Sequence, residues 1–256
     1  MYFELIDKTA TVLAQSRRRE TISDLSLDDI ATEAEAFVIQ AAALDLLGFE
    51  RKGHAIIGSS AASRRLLGLT GPVHSEVPAS AYYPNGAEIH LPPGMIGAQC
   101  ELALTMLRTF PEEGEELTRA NAIDAILAYQ PAIGLLGRRT AHPCFGDFAA
   151  IADFGLHVAT VRGAYAELGG RDRLEDIDVN AFLFKRTVVS GSTSCIFTHP
   201  VDALVWLAFR LQQAGQCLHP GDVVTTGSCT TILHVMAGQH LAADFGPLGQ
   251  VECLFR

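Results

Sequence analysis

The chain has 256 residues, 48% of them hydrophobic and 19% charged: enough apolar material to bury a sizeable core, and too little charge for long disordered stretches. Its formal net charge is −10 and its basic residues form no stripe, which excludes the phosphate-contacting surface of a nucleic-acid binder. No run reaches the roughly 18 apolar residues of a membrane span, and the first ten residues carry no secretory apolar region. Six cysteines, at 100, 144, 195, 217, 229 and 253, include no Cys-x-x-Cys pair, which argues against a disulfide framework or a zinc knuckle. The expectation is a cytoplasmic protein with reduced thiols, and neither nucleic acid nor membrane as partner.

Residues 1 to about 50 read as helical. Arg17, Arg18 and Arg19 are a solvated helix face. Ser26-Leu-Asp-Asp29 has the form of a capping box; Phe37, Ala41, Leu44 and Leu47 recur at helical spacing behind it, and Gly48 closes the segment. A short strand over 54–57 follows, then a brief helix capped by Ser60 and ending at Gly68. Residues 70–95 are rich in Pro, Gly and Tyr and read as loops with a short strand at 87–91. Beyond them, 98–107, 131–136, 156–162, 179–189 and 222–226 are strand-like. One helix is expected from Thr118 to just before Pro131, another from Pro200 to near Gly215. The tail is a hairpin, 241–245 and 250–255 around Gly-Pro-Leu-Gly. Strands not regularly separated by helices indicate an α+β fold with a mixed sheet. The division expected is a mainly helical lobe over 1–70 and a β domain over 71–256, or the two as one continuous domain.

Chemistry concentrates in a few segments. In Gln99-Cys-Glu-Leu-Ala-Leu-Thr105, alternation puts Gln99, Glu101, Ala103 and Thr105 on one face and Cys100, Leu102, Leu104 and Met106 on the core face. Glu101 is then a lone carboxylate, facing either solvent or a pocket. Further on, His199-Pro opens a helix containing Trp206-Leu-Ala, and Gly221-Asp-Val-Val-Thr-Thr-Gly-Ser228 follows. These pieces, with Glu35 to Gln40, Leu66 to Leu69, Pro72 to Ser75, Ile151-Ala-Asp153 and the closing Phe245-Gly-Pro-Leu-Gly-Gln-Val, resemble the 2-keto-4-pentenoate hydratase and 4-oxalocrotonate decarboxylase family of the fumarylacetoacetate hydrolase superfamily. The likeness runs from about residue 25 to 255.

The resemblance implies a mixed, curved β-roll and a pocket for small 2-oxo or enol acids. It also implies Mg²⁺ or Mn²⁺ held by a Glu-x-Glu pair and a third Glu, because hard cations take carboxylate oxygens. The chain departs there: the pair reads Gln99-Cys-Glu101, the third Glu falls on Gly134, and the family's pocket Lys falls on Ala55. No metal or other cofactor is therefore expected. The matching pocket positions are Arg139, Asp153, Thr226 and Ser228, with Ser59 and Ser60 beside them. Each has a plainer reading: a salt bridge for Arg139, a turn for Asp153, a tight loop for Thr226 and Ser228. His199 reads as the residue fixing a helix start, and Cys229 as a small buried residue. His54 and His74 stand where the family has aromatics and offer either proton transfer or packing; His142 and His157 are less well placed.

The function expected is a hydratase-like lyase, metal-independent, on a small 2-oxo or enol acid or a polyketide-like substrate. Glu101, His54 and His74 are the catalytic candidates. Gln99, Arg139, Asp153, Ser59, Ser60, Thr226 and Ser228 bind an anionic substrate, in one cavity shared by Gln99, Glu101, Arg139 and the Thr226–Ser228 loop. The alternatives are a non-catalytic relative that binds a ligand or an active homologous partner, and a conventional Mg²⁺ hydratase. A homo-oligomer is expected.

Overall fold

The computed structural model describes residues 2–141, 146–166 and 174–256. Two helices open the chain, α1 (Tyr2–Arg19) and α2 (Glu33–Leu47). Ile6, Ala10 and Leu13 of the first share a core with Ala36, Ile39 and Ala43 of the second. The capping box sits later than expected. Thr32 accepts from the Glu35 N–H, and Glu35 reaches back to the Ala31 N–H. Ser26 only closes a turn with the Asp28 N–H. A glutamate three residues after the cap is long enough to return to the backbone; Asp29 is one methylene shorter. Gly48 ends α2 at φ +62°, as expected.

Seven strands form the main sheet: β1 (Arg51–Ile57), β2 (Val73–Pro78), β3 (Tyr82–Pro84), β5 (Met95–Met106), β6 (Ile126–Gly137), β7 (His157–Arg162) and β10 (Val223–Ser228). Their order is β2-β1-β10-β5-β6-β7-β3, so β5 is central. A second sheet has the order β4-β12-β11-β8-β9, from β4 (Ala87–Ile89), β8 (Asp178–Leu183), β9 (Arg186–Ser192), β11 (His240–Asp244) and β12 (Gln250–Phe255). The pairs β1–β10, β3–β7 and β4–β12 are parallel and the others antiparallel, a mixed α+β arrangement. β1 belongs to the first seventy residues, yet it is hydrogen-bonded between β2 and β10 in the main sheet.

Three other expectations change. The helix after Thr118 is only α4 (Arg119–Asp124), and Pro131 lies inside β6. The proline is tolerated because its carbonyl accepts from Gly163 just past the end of β7, so its missing N–H falls where that ladder stops. The run 179–189 is two strands, folded back at Phe184 and Lys185, both at positive φ. Residues 70–95, expected as loops around one short strand, also supply β2 and β3. The remaining helices are α3 (Ala61–Leu67), capped by Ser60 and closed by Gly68, α5 (Asp147–Ala152) and α6 (Pro200–Gln213).

Two cores hold these layers. One face of the main sheet packs, through Cys100, Leu102, Leu104, Ile133 and Val224, on the second sheet and on Leu204, Leu207 and Leu211 of α6. The other face meets α1, α2 and α5 through Ala55, Ile57 and Leu136. Each fully buried Leu or Ile contributes about 1.5–3 kcal/mol. Among the described residues no helix is long and apolar enough to cross a membrane.

Candidate active site

Residues paired across a ladder share a face, so the register sorts the polar side chains. Gln99 pairs with Gly134, Glu101 with Ala132, and Ala103 with both Gln130 and Thr225. These form one face, opposite the core face carrying Cys100 and Leu102. Glu101 is 2% exposed. Gln99 Nε2 donates to its Oε2 at 3.2 Å, while Glu101 Oε1 and Gln99 Oε1 have no partner among the described residues. Burial pushes the Glu101 carboxyl up to about 8, against the opposing pull of Gln99 and of the Gly227 N–H. The carboxylate lies in the room that Gly134 leaves: a Cβ on Gly134 would overlap Glu101 Oε1.

The loop after Thr225 shapes the next wall. Thr226 Oγ1 accepts from the Leu102 N–H and donates to the Leu102 carbonyl, 3.2 Å each, across a bulge between β10 and β5. Gly227 follows at φ +82°, where a Cβ would overlap Ser59 Oγ, so Ser59 stands beside it. Ser228 Oγ meets Ser60 Oγ at 3.0 Å, and Ser60 also caps α3. The hydroxyls of Thr226, Ser228 and Ser60 are thus engaged within the protein, and the group turned to Glu101 is the Gly227 N–H.

Two residues not singled out from the sequence complete this face. Tyr82 lies over Ala103, Ala132 and Val223, and its hydroxyl donates to the Val223 carbonyl at 3.1 Å. Arg162, opposite Ala132 on β7, stacks its guanidinium 4.9 Å from the Tyr82 ring. Both arrive from strands far away in sequence. Arg162 stood on a segment read as a strand, whereas Tyr82 fell in the stretch 70–95 read as loops.

The structure does not bring the other expected residues to Glu101. Arg139 lies five residues beyond Gly134, roughly 16 Å along the strand at ~3.3 Å per residue. Its Nη1 donates to the Gly137 carbonyl at 2.8 Å and faces Asp153 Oδ1 at 3.4 Å, its Nη2 donates to the His157 carbonyl, and Asp153 Oδ2 accepts its backbone N–H. The pair is a buried structural bridge, so the single cavity expected for Gln99, Glu101 and Arg139 is corrected. His54 and His74 are also elsewhere. His54 pairs with Val224, which pairs with Leu104, and His74 pairs with Ile56; all lie on the face opposite Glu101. Ala55, by contrast, is on the Glu101 face. His199 Nδ1 accepts the Val201 N–H and fixes the start of α6. Cys100 and Cys229 are fully buried, and burial pushes the Cys100 thiol up to about 12. His142 and Cys144 lie outside the described residues.

No family model matches the chain. It is 25% identical to the 2-oxo-hept-4-ene-1,7-dioate hydratase of Escherichia coli, over 98% of this chain and 100% of the relative. It is 26% identical to a 2-keto-4-pentenoate hydratase of Burkholderia vietnamiensis, over 86% and 85%. Its fold matches the 4-oxalocrotonate decarboxylase of Pseudomonas putida G7, solved with magnesium and adipate, with a TM-score of 0.89 and 19% identity, over 99% of this chain and 98% of that one. The fumarylpyruvate hydrolase of Pseudomonas aeruginosa, solved with Mn²⁺ and pyruvate, matches with a TM-score of 0.60 and 14% identity, over 81% and 89%.

Proposed function

We propose that this chain, similar to 2-oxo-hept-4-ene-1,7-dioate and 2-keto-4-pentenoate hydratases and sharing the fold of 4-oxalocrotonate decarboxylase and fumarylpyruvate hydrolase, is a lyase of that family acting on small 2-oxo or enol acids, with Glu101 moving the proton and no divalent cation required. The observation that carries this reading is Glu101 itself: a buried carboxyl, held at one oxygen by Gln99 and without a hydrogen-bond partner among the described residues at the other. Adding water across a conjugated double bond requires a proton at one carbon and the water oxygen at the other. A carboxyl with its proton affinity raised to about 8 holds a proton at neutral pH and can deliver and recover it. Gln99 orients that carboxyl. The Gly227 N–H favours its ionised form as the proton leaves. Arg162, not Arg139, is the cation this face offers to a substrate carboxylate.

Structures of the relatives contain magnesium, calcium or manganese. The donors of this chain do not fit such an ion. Beside Glu101 stand one amide oxygen and a glycine, and the carboxylate already fills the space above that glycine. Among the described residues no group of three or more His, Cys, Asp or Glu could hold a metal. One carboxylate in a dry site would leave most of a dication's charge uncompensated.

The test is turnover of 2-keto-4-pentenoate, followed by loss of its conjugated absorbance, in excess EDTA and after adding back Mg²⁺ or Mn²⁺. The expected result is turnover indifferent to EDTA that Glu101→Gln lowers by about 100-fold or more. Turnover that depends on added metal would overturn the metal-free reading. No turnover of this or related oxo acids would overturn the enzyme.

A further inference from the structure

Three consecutive arginines end α1, and the first of them does not join the solvated face that the sequence pattern predicts. Arg18 and Arg19 are exposed, whereas Arg17 is partly buried and lays its guanidinium 4.6 Å from the centre of the Phe154 ring. Arg139 stacks on the same ring at 5.4 Å. Arg17 and Arg139, with Arg18 and Arg138, line a cavity of about 300 Å³ where the ends of α1, β2 and β6 meet the start of β7.

The acidic side of this balance is short. Among the described residues, the one carboxylate of the lining is Glu20, more than half exposed and 3.6 Å from His90. Behind the cavity, Asp153 is bonded to Arg139 and acts on Arg17 only across space. Arg18 gives its Nη2 to the Leu46 and Leu47 carbonyls, at 2.7 and 3.5 Å, which orients the group at the end of α2 without neutralising it. Arg17 makes no hydrogen bond and no ion pair among the described residues; Nη1 is sealed from solvent, while Nε and Nη2 stay accessible. A guanidinium held so deep without a counter-charge is costly. Burial, with Arg139 beside it, pushes the Arg17 pKa down to about 9, and the group is still charged at neutrality. Two guanidinium charges, those of Arg17 and Arg18, thus border one cavity with no carboxylate bonded to either, in a chain whose net charge is −10.

The rest of the lining narrows the kind of anion that fits. Ser16 and Ser80 add hydroxyls, while Phe49, Tyr83, Pro92 and Pro93 add apolar surface. We propose that this cavity is a binding site, separate from the Glu101 face, for a small phosphate monoester: the dianionic head meets the guanidiniums of Arg17 and Arg18, and the apolar body lies on Phe49, Tyr83 and the two prolines. A phosphate head brings close to two charges and three acceptor oxygens to these forked donors, where a carboxylate brings one charge and two oxygens.

The probes are phenyl phosphate, inorganic phosphate and benzoate, titrated calorimetrically into the protein at constant ionic strength and near-neutral pH. Phenyl phosphate should bind saturably. Inorganic phosphate, which lacks the body, and benzoate, which has the body but a single charge, should each bind about tenfold more weakly or worse. Arg17→Gln should weaken phenyl phosphate by about tenfold or more. Should that variant not fold, Ser80→Glu decides: the position is exposed and lines the cavity, and a carboxylate placed there should abolish binding. Arg162→Gln should change nothing, which separates this site from the proposed catalytic face; the measurement needs no turnover and so stands apart from the lyase reading. No saturable binding, benzoate or inorganic phosphate binding as tightly as phenyl phosphate, binding that survives Ser80→Glu, or binding lost in Arg162→Gln would overturn the proposal.

Discussion

The two faces of the main sheet bury ionisable groups in opposite ways. One holds a carboxyl in a slot made by a glycine; the other holds two imidazoles against a cavity and an arginine. Burial acts on both by disfavouring charge, so it raises the proton affinity of Glu101 and lowers that of His54 and His74. The same physical cause therefore keeps the carboxyl and both imidazoles uncharged near neutrality while giving them opposite pH limits. A pleated strand separates two chemistries by one residue of register.

The largest effect should come from the carboxyl. Its folded proton affinity, about 8, lies above the unfolded value of 4.5. Its contribution is thus fully present below about pH 4.5 and is lost as pH rises through 8. Chemical denaturation of Glu101→Gln and the parent should show the variant gaining on the parent between pH 5 and 9, by roughly 3–5 kcal/mol. A constant difference across that range would break the contrast between the faces.

His74 should show the reverse. Burial, aided by Arg210, pushes it down to about 4, so its contribution is present above pH 6.5 and is lost as pH falls towards 4. His74→Phe should flatten the acid limb of the stability profile by about 1–3 kcal/mol and leave the alkaline limb alone. A comparable effect of about 1–3 kcal/mol is expected for Gly134→Ala, through overlap with Glu101. In a Glu101→Ala background most of that cost should vanish, a coupling that a double-mutant cycle reads directly. The smallest effect belongs to Arg51→Met, which strips His54 Nε2 of its donor at a cost of about 1 kcal/mol and should not alter the Glu101 limb.

What could be read from the sequence follows the range of the interaction. Alternation along one strand was enough to place Gln99 and Glu101 together and Cys100 and Leu102 in the core. Local signals sufficed for Ser60 as a cap and for Pro200 at the start of a helix. Relations between strands were not legible. The side of the sheet that His54 takes is set relative to β5 only through β10, which lies between them and comes about 170 residues later in the chain. Tyr82 and Arg162 reach the Glu101 face by pairing of β3 with β7 and β7 with β6. Arg139 carried a plainer reading from the start, a salt bridge, and the structure supplies Asp153 as its partner. The hairpin at Phe184 and Lys185 had no Gly or Asn to announce it.

The Thr226 hydroxyl deserves a last consequence. In an unbroken ladder the main chain of β10 would serve both polar groups of Leu102, and every peptide N–H nearby would be spoken for. Here a single side-chain oxygen serves both, the backbone steps out of register, and the next residue is a glycine with its amide turned towards Glu101. A threonine side chain has been substituted for main chain so that main chain is released as a donor. Such a donor has no rotamers to lose, so the polarity beside Glu101 is written into the path of the chain.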